Sequence, residues 1–221
     1  MVGRKLEIAA EVMPKKVFVW GIEWPGWCRS GRDLDSALAA LVDTAPRYSQ
    51  VSRAADLSFP QVGSANLDLV TSVEGSSGTL FGVPSIVIDH DRRPVSAAQA
   101  KRLAVLVEAS WSTFESVAAK APYELRKGPR GGGRDLGKMI THVVESDQAY
   151  AREIGVNRRA YGPDDRTALE SMRAEMLGVL GKASDGSPLA DRKWPLRYAA
   201  RRIAWHALDH AWEIEDRRTP A

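Results

Sequence analysis

The chain has a single cysteine in 221 residues, so Cys28 has no intrachain partner and a disulfide framework is excluded. A lone thiol fits a reducing compartment. Long hydrophobic runs are also missing: no stretch approaches 18 apolar residues, and the opening MVGRKLEIAAEV has no apolar core ahead of a small-residue cleavage site. Neither a transmembrane helix nor a secretory signal is expected, which leaves a cytoplasmic protein with no membrane partner. Charge of one sign is scarce, since 31 Lys and Arg offset 28 Asp and Glu to give +3. The pI near 9.1 and paired arginines such as Arg201 and Arg202 leave room for an acidic partner. A nucleic-acid binder of this size carries a larger and more localised excess, so nucleic acid is not the expected partner. With 44% hydrophobic and 27% charged residues, the composition is that of a folded globular chain, and long disorder is excluded.

The first part of the chain reads as a small α+β unit. LEIAAEV, a turn at MPKK, and the β-branched and aromatic VFVWGIE predict a hairpin. WPGWC follows, with Pro25 and Gly26 as turn chemistry between tryptophans. Asp33 is a candidate cap for a helix whose apolar positions Leu34, Leu38, Leu41 and Val42 fall at helical spacing, with Pro46 ending or kinking it. A strand is expected over residues 66–73, giving the order ββαβ. The PGW run, the polar turn to Gly31 and the helix start DLDSALAAL, carried by Pro25, Gly26, Trp27, Gly31, Asp33, Ala37 and Leu38, resemble the HicB-type antitoxin fold. That resemblance implies a shape and not antitoxin activity.

The loop-rich FGVPSIVIDHDRRP places a boundary near residue 90, so the expected division is an α+β unit at 1–90 and a helical unit at 91–221. Four amphipathic helices are predicted over residues 96–121, 135–154, 163–180 and 194–216, with no strand signal between them, as in an α-bundle. The glycine-rich GPRGGGR between the first two lacks the Lys-Ser/Thr and the preceding strand of a phosphate loop, and reads as a flexible connector.

The last stretch, WPLRYAARRIAWHALDHAWEIED, carries the chemistry. After Pro195 it has no Gly or further Pro, and His206 and His210 lie four residues apart. On a helix that spacing stacks two imidazoles on one face, where they can share an ion. His142 lies in the second predicted helix, in GKMITHVVESDQAYAREIG. Three imidazoles from two helices suffice for a divalent site with open coordination positions. No HEXXH is present, because Ala207 follows His206, so that motif's glutamate base is missing. Of the nearby carboxylates, Asp209 points partly away, and Glu213, one turn beyond His210, is placed to hold an imidazole or act in catalysis. Arg202, one turn before His206, is the candidate for an anionic substrate group, with Arg197 and Arg201 weighed alongside it. His90, flanked by Asp89 and Asp91, and Cys28, beside Arg29, are weaker candidates for an extra ligand and for a nucleophile. Trp205, Leu208 and Trp212 form a second apolar stripe, so this helix either packs one side in the bundle and the other against the N-terminal unit or a second subunit, or presents one broad buried face to a single core.

A bundle with one histidine in ITHVVESD and an H-x-x-x-H pair in AWHALDHAWEIED resembles the DinB/YfiT-like superfamily of metal-binding four-helix bundles over residues 95–217. The resemblance implies a three-histidine site of His142, His206 and His210 for Zn²⁺ or Ni²⁺, an up-up-down-down bundle, a tendency to homodimerise, and transferase or isomerase chemistry on a small-molecule substrate with a low-molecular-weight thiol. The expected function is therefore a metal-dependent transferase, isomerase or hydrolase. The alternative is a non-catalytic binding or regulatory protein that uses the bundle as a scaffold.

Overall fold

The computed structural model of the chain describes residues 5–127 and 135–218; the glycine-rich connector at 128–134 lies outside them. The fold is mixed α+β, with one four-stranded sheet and seven α-helices among the described residues. β1 (Leu6–Met13) and β2 (Lys16–Gly21) form the expected antiparallel hairpin. β3 (Cys28–Gly31) adds to β2, and β4 (Leu67–Glu74) pairs in parallel with β1, for the order β3-β2-β1-β4. Two elements between them depart from the expected ββαβ order. The four-residue CRSG strand has no periodicity of its own and exists because β2 offers it an edge. The single expected helix is two, α1 (Leu34–Asp43) and α2 (Ala45–Ala54), with Pro46 in the first turn of the second, where its missing N–H costs nothing. Asp33 caps α1 as expected, accepting from Ser36 N at 2.8 Å.

The two central strands are buried on both faces. Leu6, Ile8, Ala10, Val17 and Val19 pack toward Ala37, Leu41, Tyr48 and Val51 of α1 and α2. Ala9, Phe18 and Trp20 face the other way, toward Ile88 and Cys28. A short helix α3 (Ser77–Leu80) follows β4, and the chain beyond it is tied to the sheet by a buried carboxylate. Glu11 on β1 accepts from the Thr79 hydroxyl, from Ser85 N at 3.2 Å and from Ile86 N at 2.9 Å.

Four longer helices follow: α4 (Ala97–Ala119), α5 (Leu136–Glu153), α6 (Arg166–Leu180) and α7 (Leu196–Arg217). Asp165 caps α6 through Ala168 N, so that helix begins at Arg166, three residues after the expected start at 163. α4 packs along α7 and against α6, and α5 also packs against α7 and α6. Their shared core runs from Leu103 and Trp111 through Met139 and Met176 to Ile203 and Ile214. The second stripe of α7 meets the N-terminal elements: Trp205 joins the Phe18 and Trp20 cluster, and Leu208 and Trp212 join the cluster on the opposite face of the sheet. The WPGWC turn docks here too. Gly26 has φ +90°, and a Cβ there would stand 2.6 Å from Leu208 Cδ1, so both backbone and space demand glycine.

One ion pair lies inside the helical layer. Asp147 on α5, 1% exposed, accepts two bonds from Arg173 on α6, at 3.0 and 2.7 Å, and one from Trp111 Nε1 on α4 at 3.2 Å. Arg173 also reaches Glu115 at 2.6 Å. Removing one partner of such a pair strands a buried charge, at a cost of about 3–5 kcal/mol. Arg173→Ala is therefore expected to lower urea-unfolding stability by about that amount; a loss under about 1 kcal/mol would show that the pair contributes no more than a surface bridge.

Candidate metal centre

The three histidines come from two packed helices. His206 and His210 project from the same face of α7, one turn apart, and His142 comes from the facing part of α5. One ring nitrogen of each lies within 4.8 Å of the other two. His206 Nε2 and His142 Nε2 are 3.2 Å apart, and the ring centroids are separated by 4.6 to 5.1 Å. His206 and His210 are 6% and 8% exposed, while His142 is half-buried, so the cluster is open on the α5 side.

The donor set fits a divalent ion. Two imidazole nitrogens bound at 2.0–2.1 Å to one tetrahedral ion stand about 3.3 Å apart, close to the His142–His206 separation. The orientation of His210 also fits. Its Nδ1 lies 3.3 Å from Glu213 Oε2, which leaves Nε2 to face the cluster. Glu213 is in turn held by Arg217 Nη1 at 2.8 Å, and Arg217 Nε donates to the Arg126 carbonyl at 2.7 Å. The bond from His210, seconded by Arg217, holds the Glu213 carboxyl below the usual carboxylate range. Carboxylate–histidine pairs of this kind fix an imidazole's tautomer and raise its basicity as a ligand. Glu213 thus sits on the outer nitrogen of His210, the position of an orienting group.

Two residues complete the surroundings. Tyr150, two turns after His142 on α5, stacks edge-on to His206 at 5.5 Å; burial pushes its phenol up to about 12, so it stays protonated at neutral pH. Arg202 lies over Tyr150 at 5.2 Å and over Trp205 at 4.7 Å, with Nη1 buried and without a hydrogen-bond partner. Of the arginines weighed from the sequence, it is the one beside the histidines. Arg201 is an anchor: it pairs with Asp91 at 2.7 Å, donates to the Ile86 carbonyl at 3.1 Å and lies over Trp20 at 4.3 Å. Arg197, half a helical circumference from His206, pairs with Glu23 at 3.3 Å.

The remaining candidates are elsewhere. Asp209 bonds Arg29 at 3.2 Å. His90 lies 3.3 Å from Glu23 and is not among the clustered histidines. Cys28 is 2% exposed, and burial drives its thiol far up, so it is no nucleophile. Sequence reasoning passed over Tyr150, although its spacing of eight residues from His142 places both on one helix face.

No family model matches the chain, and no curated protein and no solved structure matches it. The assignment of the site therefore stands on its geometry.

Glu213→Gln keeps the shape of the orienting side chain and removes its charge. Zinc affinity, measured by competition with a chromophoric chelator, is expected to fall about 10- to 100-fold. An unchanged affinity would show that Glu213 does not set the orientation of His210.

Proposed function

We propose that the chain is a metal-dependent enzyme in which His142, His206 and His210 hold one divalent ion, Zn²⁺ or Ni²⁺, within a DinB-like bundle formed by α4 to α7, joined to a HicB-like unit at 1–90. The observation that carries this reading is the convergence of three imidazoles from two helices, with one nitrogen of each within 4.8 Å of the others. Such an ion supplies Lewis acidity, which makes a thiol or water more acidic and polarises a carbonyl. The residues of the chain supply the rest. Glu213 orients His210, the half-buried His142 marks the side from which substrate arrives, and Tyr150 and Trp205 wall the site against water. Arg202, stacked between those rings with Nη1 unpartnered, binds an acidic group of a small-molecule substrate or of a low-molecular-weight thiol. The reaction class is transfer, isomerisation or hydrolysis. One observation favours the scaffold alternative: 3.2 Å also suits a direct N–H···N bond between His142 and His206 in a metal-free binding protein.

Elemental analysis of protein purified without a histidine tag separates the two. About one divalent ion per chain is expected, lost when His142, His206 and His210 are all replaced by alanine. Absence of metal from both proteins after incubation with zinc or nickel would overturn the enzyme reading.

A further inference from the structure

A second site lies away from the three clustered histidines. Between the start of β1, the turn after β2 and the N-terminal ends of α4 and α7 is a cleft of about 850 Å³. Lys5, Arg93, Arg102 and Arg197 line it against Glu7 and Glu23, so its walls carry an excess of positive charge. The first turns of two long helices border it through Gln99 and Arg197, which adds the positive ends of two helix dipoles.

Of the two carboxylates in its wall, that of Glu23 already engages the cleft's donors. Arg197 Nη1 and His90 Nε2 both approach Glu23 Oε1, each at 3.3 Å. The Glu23 carboxyl lies below its usual range, first through His90 and then through Arg197. Yet Glu23 is a poor match for these donors. Its side chain is 45% exposed, while Arg197 is 7% exposed and keeps its Nε buried without a hydrogen-bond partner. A buried donor left unmade is costly. Beside this pair, Arg102 donates to the Glu23 carbonyl at 2.5 Å and lies over the Trp24 ring at 4.3 Å, setting an aromatic wall next to the cations.

We propose that this cleft binds a small organic acid, whose carboxylate takes the place of the Glu23 carboxylate on Arg197 and His90 while its organic part lies along Trp24. Glu23 is then a tethered competitor that occupies the donors until the acid arrives. Arg93 and Arg102, which also line the cleft, draw the anion in. The site is independent of the three histidines. Arg197 precedes His206 by nine residues on α7, about 14 Å along the axis at 1.5 Å per residue, and on the opposite side of the helix.

The test is isothermal titration of benzoate, citrate and inorganic phosphate into the full chain, Glu23→Ala and Arg102→Ala, each checked for native circular dichroism and metal content. Saturable binding of benzoate or citrate is expected, tightened about tenfold by Glu23→Ala, which removes the competitor, and weakened about tenfold by Arg102→Ala; a tenfold change corresponds to about 1.4 kcal/mol. Metal content is expected to be the same in all three. Three outcomes would overturn the proposal: no saturable binding of either carboxylate to the full chain or to Glu23→Ala, weaker binding in Glu23→Ala, or phosphate bound as tightly as the carboxylates with no response to Glu23.

Discussion

A helix buried on every side must find a partner inside the protein for the polar groups it carries, and α7 imposes that demand on the rest of this fold. Arg197, Arg201, His206, His210 and Arg217 are all buried along its length. An unpaired polar group in such surroundings costs on the order of a hydrogen bond or more, so elements distant in sequence converge on this helix with matching groups. Glu23 comes from the turn after β2, Asp91 from the loop before α4, His142 from α5, and the Arg126 carbonyl from beyond α4. Of these pairings, that of Glu23 with Arg197 joins the two halves of the chain, alongside the apolar contacts of Trp205, Leu208 and Trp212.

The arginines of α7 meet that demand to different degrees. Arg201 pairs with Asp91, donates to the Ile86 carbonyl and lies over Trp20, with only its Nε left without a hydrogen-bond partner, and it behaves as a structural bolt. Arg202, its neighbour, lies over two aromatic rings with a buried nitrogen lacking a partner, beside His206. Cation–π contact offsets part of the cost of desolvating the guanidinium, but it leaves the N–H groups available to an acidic ligand. Five residues earlier on the same helix, Arg197 meets a carboxylate that is itself half in water.

Much of the candidate centre was legible in the sequence. The i, i+4 spacing of His206 and His210 on an uninterrupted helix fixes them on one face, and the helical pattern around His142 supplies a second element. What the spacing left open was the role of Glu213. One turn beyond His210 it had the reach for either catalysis or support, and only the rotamers and Arg217 place it on Nδ1. The hairpin, the Asp33 cap and the long helices were equally readable, because each rests on local periodicity. β3 was not, since a four-residue polar strand is defined by its neighbour, and the split of α1 from α2 turned on whether Pro46 ends one helix or opens the next.

The sequence by itself determined the mixed α+β class, the positions of the long helices and the pair of imidazoles on one face, because these follow from period, capping and turn chemistry within about twenty residues. Tertiary structure alone decided that α7 is the shared wall between the sheet and the other helices, that Arg197, Arg201 and Arg202 meet three different sets of neighbours, and that Glu23, His90 and Arg197 meet in one cleft. Those outcomes join residues as far apart as 174 positions, and contact at such separation is set by how buried faces pack and by which buried charges must be satisfied, neither of which local pattern encodes.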